Sequence, residues 1–214
     1  MSAPGSITSS AGTPTALLLI DIQVGLNTSH GLFGTERSTP KFEENIKSLL
    51  SAVRKYNDTS STSWPITIFH IFHKSLNPES PLYPDSSRHP GGVEFQPCAQ
   101  PIESSQHEIV FSKSTNSAFI NTPLESYIRS KGIKQLIIAG LVTDHCVSTS
   151  TRMAKDLAVV EPEKLFIVSD ATGTFNRGGF DAETVHRVNL ASLRGEFANV
   201  VTTEEVLSGL INLH

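Results

Sequence analysis

The chain has 214 residues, a length that one α/β domain commonly fills around a single core. Its 38% hydrophobic and 18% charged residues describe an ordinary globule, and a formal net charge of −4 gives no basic footprint for nucleic acid. No apolar run approaches the roughly 18 residues of a membrane span, and only two cysteines, Cys98 and Cys146, occur. A disulfide scaffold is therefore not expected, and a reducing, cytoplasmic setting is the default.

The opening "MSAPGSITSSAGTPT" has neither a basic start nor an apolar centre, so it does not read as a secretory signal. Residues 1–14 are expected to form a flexible tail, and residues 15–214 one domain. "TALLLI" (15–20) is a continuous apolar run ending at Asp21, the pattern of a strand buried on both faces. A helix follows from about Pro40, with Thr39 as cap and Phe42, Ile46, Leu49, Leu50 and Val53 on one stripe. "PITIFHIF" (65–72) and "HEIVF" (107–111) read as strands flanking a Pro/Ser/Gly-rich loop at about 74–105. "TPLESYIRSKG" predicts a helix with a Thr122/Glu125 capping box and a stop at Gly132. "KQLIIA" (134–139) and "KLFIVS" (164–169) are further strands, the first leading into a helix opened by the Cys146 segment. A helix from about Asp181 to Gly195, then "NVVT" and "TEEVLSGLI", complete the alternation. Strands alternating with helices predict a three-layer α-β-α sandwich on a mostly parallel, Rossmann-like six-stranded sheet.

In such sheets ligands sit beyond the carboxyl ends of the strands. Three reactive groups fall there: Asp21 after "LLLI", Lys113 just past "HEIVF", and Cys146 in "GLVTDHCVSTSTRMA" after "QLIIA". Singly, each has a bland reading as turn former, solvated cation or small buried hydrophobe. Together they describe chemistry. A helix N-terminus and a nearby ammonium favour thiolate, and a carboxylate can take the thiol proton.

The three motifs "ALLLIDIQ", "FSKSTNSAF" and "GLVTDHCVSTSTRMA", in this order, resemble those of the isochorismatase-like cysteine hydrolases. That superfamily includes nicotinamidases, N-carbamoylsarcosine amidases and ureidoacrylate hydrolases. The resemblance implies an isochorismatase-like hydrolase fold and a catalytic triad of Asp21, Lys113 and Cys146. It implies an oxyanion hole at the backbone N–H groups of Val142 and Cys146, and a cis peptide at Leu141–Val142. The implied activity is cleavage of a small molecule's C–N amide or ureido bond through a Cys146 thioester, releasing ammonia or an amine. Vinyl ether hydrolysis of the isochorismatase type is the alternative; a non-catalytic binding member or a thiol sensor is a weaker one.

Candidate substrate contacts are Gln23, Asn116, Phe119 and His145, with Thr143 and Asp144 read equally as capping residues. Metal-bearing nicotinamidases carry an Asp-x-His element. Here "TIFHIFHKSLNPESP" offers only His70 and His73, so no metal and no cofactor is expected, unless Asp85, His89 or Glu94 completes a site. The aromatic that usually follows the first acid in the family is replaced by Val24, Gly25 and Leu26. The 74–105 loop is expected to be a lid or oligomer contact hinged at Gly91–Gly92, with Arg88 or His89 available to an anionic substrate. The implied partners are a small-molecule substrate and a second copy of the chain, as dimer or tetramer, with no nucleic acid or membrane.

Overall fold

The structure is a computed structural model that describes residues 5–27, 32–59 and 64–210. Six strands, β1 (Thr15–Ile20), β2 (Thr67–His73), β3 (Glu108–Lys113), β4 (Gln135–Leu141), β5 (Leu165–Gly173) and β6 (Asn199–Val201), form one parallel sheet. Their order is β3-β2-β1-β4-β5-β6. The order reverses direction between β1 and β4, so the loops leaving these two strands part and open a crevice between them. Asp21 follows β1 directly and Cys146 follows β4.

Alternation along each buried strand feeds two cores. Leu17 and Leu19 of β1, with Ile68, Ile137, Phe166 and Val168, pack under α2 (Phe42–Thr59) and α6 (Thr203–Leu210). Ala16, Leu18 and Ile20, with Phe69, Ile71, Leu136 and Ile138, pack under α3 (Leu124–Ser130), α4 (Ser148–Asp156) and α5 (Ala182–Leu193). The stripe Phe42, Ile46, Leu49, Leu50 and Val53 is buried on α2 as its spacing predicts. The three-layer α-β-α arrangement is thus present, and every strand pairing is parallel.

Local details differ from the expectations in four places. Residues 5–14 are not a free tail: Gly5 N–H donates to Asn199, Thr8 N–H donates to the buried Gln135 amide, and Ser10 N–H reaches Leu210 O. A buried glutamine amide has to be satisfied, and this segment does it. Thr39 does not cap α2 with its side chain; at φ 58° its carbonyl accepts from Phe42 N–H and its hydroxyl donates to Thr172 O. The Thr122/Glu125 box does not close: Glu125 pairs with Arg129, and Thr122 Oγ1 accepts from Leu124 N–H at 3.4 Å rather than from Glu125 N–H. The stop at Gly132 does hold, with φ 63° and Ile133 N–H returning to Ile128 O. A short helix α1 (Val24–Asn27), unforeseen in the sequence, follows β1.

Gly140 of β4 packs against the backbone of Ile20 in β1. At φ 126°, a Cβ there would lie 2.1 Å from Ile20 O, a backbone atom that cannot swing away. Gly140→Ala is expected to destabilise the protein by roughly 3 kcal/mol, lowering the melting temperature by about 6–12 °C. Calorimetric melting of the variant checks this.

Candidate active site

Asp21 leaves β1 with φ 51°, a left-handed conformation that few non-glycine residues adopt. Its N–H donates to Ile71 O at 2.9 Å, and the turn tips the carboxylate into the crevice, 1% exposed. Lys113 ends β3, two strands away, and its side chain crosses the end of β2 to reach the same point. Its Nζ lies 2.6 Å from Asp21 Oδ2, 3.3 Å from Cys146 Sγ, 3.0 Å from Thr115 O and 3.4 Å from His73 Nδ1. An ammonium has three protons for these four neighbours, so the long approach to His73 is the weakest. The reach required explains why the cation is a lysine.

Cys146 sits in a wide turn, Thr143–Val147, closed by Val147 N–H donating to Val142 O at 3.2 Å, which precedes α4. Such π-type turns recur at functional positions because they re-aim one side chain. The Leu141–Val142 peptide just before it is cis, as the resemblance implied.

The protonation state departs from the sequence-based expectation of a thiolate. Burial, then the charge of Asp21, push the Cys146 thiol well above its ordinary range; Lys113 opposes this and loses. The ammonium is already committed to Asp21, so the pair offers the sulfur little net positive potential. Cys146 therefore rests as a thiol. Among the described residues, Asp21 Oδ1 is buried and has no hydrogen-bond partner. The thiol, whose interaction with Asp21 is part of what holds its proton on, is the group placed to supply one.

These groups open into a cavity of about 270 Å³ lined by Asp21, Cys146, Val142, Asn116 and His145, with apolar walls that include Leu26, Phe33 and Leu82. Asn116 Oδ1 is 3.9 Å from Cys146 Sγ. Phe33, against Phe175 with ring centroids 6.3 Å apart, supplies an aromatic wall that Val24, Gly25 and Leu26 lack.

Two of the candidate substrate contacts are elsewhere. Phe119 is 7% exposed and packs with Leu124 and Ile128 in the core. Gln23 is fully buried behind the cavity wall: its Nε2 donates to His73 O and Val93 O, and its Oε1 accepts from His73 N–H. With its own carbonyl accepting from Gln96 Nε2, it clamps the end of β2 to the long loop. That loop is not hinged at Gly91–Gly92. Gly25 N–H donates to Gly92 O, Val24 N–H to Glu94 O, and a Cβ on Gly92 would lie 2.0 Å from Pro81 O. Close packing, not freedom, requires that glycine, and the loop forms a fixed wall through Ser80 and Leu82.

His70 and His73 diverge on β2. His70 is buried, with Nε2 2.9 Å from Glu108 Oε2, while His73 faces the cavity. Burial would raise the Glu108 carboxyl, but hydrogen bonds from His70, Arg54 and the Ile102 N–H overcome it and hold it down to about 2. Among the described residues no group of three His, Cys, Asp or Glu side chains is arranged to hold a metal. Thr143 and Asp144 are not caps. Thr143 contacts His186 Nδ1 at 2.8 Å, and Asp144 accepts from the Thr174 hydroxyl and pairs with Arg177. His186 Nε2 faces Ser169 O at 3.0 Å and must carry the proton, so Thr143 is the donor to Nδ1.

Burial, chiefly, pushes both His73 and His186 below their ordinary value of 6.5. The unfolded chain binds those protons near pH 6.5 and the folded chain only at lower pH, so protons favour unfolding in this window. Stability is expected to fall as pH drops below about 6.5, well above the range where Glu108 titrates. Melting curves between pH 7.5 and 5.5 check this, with the slope flattened in a His73→Gln/His186→Gln variant.

The parallel sheet thus brings a carboxylate, an ammonium and a thiol together at its switch point. Residues 15–205 match the isochorismatase domain family, and the chain belongs to it as an isochorismatase-family hydrolase. It is 33% identical over 204 residues to the uncharacterized isochorismatase family protein YrdC of Bacillus subtilis, covering 93% of this chain and 97% of that protein. A crystal structure of an isochorismatase-family protein from Chromobacterium violaceum superposes with a TM-score of 0.80 at 31% identity, covering 100% of both chains. A shorter stretch of 99 residues is 31% identical to nicotinamidase 3 of Arabidopsis thaliana, covering 46% of this chain and 45% of that enzyme.

Proposed function

We propose that this hydrolase cleaves the C–N bond of a small amide or ureide, with Cys146 as nucleophile, Asp21 as acid and base, and Lys113 as their electrostatic anchor. The observation that carries this reading is the buried Asp21 Oδ1, without a hydrogen-bond partner among the described residues, beside Cys146 on the wall of a cavity of substrate size. The partial likeness to a nicotinamidase, an enzyme named for an amide substrate, supports the same bond type.

In the first step Sγ bonds to the substrate carbonyl carbon while the thiol proton passes to Asp21 Oδ1. The carbonyl π electrons move onto oxygen, where the Val142 and Cys146 N–H groups stabilise them. Collapse re-forms the carbonyl, breaks the C–N bond and expels ammonia or an amine, which takes the proton from Asp21. A water then gives its proton to Asp21 as its oxygen adds to the thioester. Loss of the sulfur, reprotonated by Asp21, frees the acid. Lys113 pairs with the carboxylate between transfers and fixes it against the sulfur.

The test is a release assay for ammonia or amine over nicotinamide, ureido acids, N-carbamoyl amino acids and simple amides, run beside isochorismate. Turnover of one of the C–N substrates is expected. Turnover of isochorismate alone overturns the reading in favour of vinyl ether hydrolysis.

A further inference from the structure

The cavity that holds Cys146 has one cationic side chain on its wall that the hydrolytic steps do not use. Arg177 lies beyond the end of β5, on a segment fixed from several directions. Its N–H and carbonyl both pair with Phe180, at 2.9 and 3.0 Å, closing a two-residue turn in which Gly178 (φ 59°) and Gly179 (φ 86°) adopt the positive φ that only glycine tolerates twice running. Upstream, Asn176 exchanges two hydrogen bonds with the backbone of Glu36, each at 3.0 Å. The guanidinium is therefore presented by a rigid backbone.

Its donors are only partly used. Nε lies 3.2 Å from Asp144 Oδ2, and Nη1 lies 3.2 Å from His145 Nε2. An arginine only donates, so His145 Nε2 is the bare nitrogen and the ring proton sits on Nδ1, facing Asp144. Asp144, 9% exposed and also bonded by Thr174, thus holds Arg177 and His145 together from behind. Among the described residues Nη2 makes no hydrogen bond. Lys113, whose side chain is fully buried, is paired with Asp21. Arg88 and His89 are not on the wall; Arg88 pairs with Glu79 in solvent.

We propose that Arg177 is a specificity-determining residue, and that the substrate is a short amide or ureide whose far end carries a carboxylate. This rests on the hydrolytic reading above. The free edge of the guanidinium donates to the two carboxylate oxygens through Nη2 and Nη1, a geometry a planar fork suits and a point charge does not. The apolar walls at Leu26, Phe33 and Leu82 take the hydrocarbon between the two ends, and about 270 Å³ restricts it to a few carbons.

Two matched pairs test this: succinamate against succinamide, and N-carbamoylglycine against N-carbamoylglycinamide. For any pair that is turned over, the wild type is expected to favour the acid at least tenfold in kcat/KM. Arg177→Gln should lose at least tenfold on the acid, mostly through KM, and less than threefold on the neutral partner, with Arg177→Lys recovering part of the loss. A neutral partner hydrolysed as well as the acid, or an equal loss on both members, overturns the assignment. If none of the four is hydrolysed, the hydrolytic reading loses its support on these substrates. The anion site is then judged by titrating Cys146→Ala protein with the two acids in a calorimeter: binding that vanishes with Arg177→Gln upholds it, and no binding overturns it.

Discussion

Replacing Cys146 with alanine is expected to lower turnover of an amide substrate by roughly 10⁴- to 10⁶-fold, the scale seen when a covalent nucleophile is removed. The fold should survive, because only a partly buried sulfur is lost and its partners Asp21 and Lys113 remain paired to each other. A melting temperature within about 2 °C of wild type would show that the loss is chemical. Serine at the same position is expected to fare little better. Burial and the neighbouring carboxylate already make a thiol hard to deprotonate here, and a hydroxyl is harder still. The variant also separates the two chemistries open to the family fold. A vinyl ether hydrolase that protonates its substrate from Asp21 without a covalent bond would keep much of its rate in Cys146→Ala.

Lys113→Met is expected to damage both activity and stability. The ammonium and the Asp21 carboxylate are 2.6 Å apart, with side-chain exposures of 0% and 2%, so removing one leaves the other as an uncompensated buried charge. Breaking such a pair costs about 3–5 kcal/mol, or a fall in melting temperature of roughly 6–20 °C for a domain of this size. The double variant Asp21→Asn/Lys113→Met removes both charges and should recover a large part of the stability while staying inactive. Thermal melts together with rates of all three variants check this. Equal stability of the wild type and Lys113→Met would contradict the geometry, since it would mean that Asp21 is already solvated or neutral.

The parts of the fold carried by local patterns were legible in the sequence. Continuous apolar runs marked β1, β4 and β5 because strands covered on both faces have no polar side, and the stripe on α2 declared its buried face. Asp21, Lys113 and Cys146 stood out because reactive residues at strand ends converge wherever the sheet is parallel. What escaped reading depends on partners remote in the chain. Arg177 reaches the cavity wall from 31 positions beyond Cys146, through a turn whose Gly178–Gly179 pair was the only local sign of it. Phe33 occupies the wall in place of an aromatic sought nearer Asp21. Gln23 lies two residues after Asp21, but its amide is claimed by His73 and Val93, which no spacing rule reveals. The Thr122/Glu125 box failed for a similar reason: Arg129 takes the Glu125 carboxylate, and Thr122 Oγ1 accepts from Leu124 N–H instead. The burial that keeps the proton on Cys146 depends on the packing around the sulfur, which no local pattern displays.

The central claim is a covalent thioester on Cys146, and rapid acid quenching of the enzyme with a turned-over substrate, followed by peptide mass mapping, addresses it directly. The substrate's acyl mass is expected on the Cys146 peptide, absent from the Cys98 peptide and removed by hydroxylamine as the hydroxamate. Steady turnover with no such adduct on Cys146, together with an undiminished rate in Cys146→Ala, would contradict it.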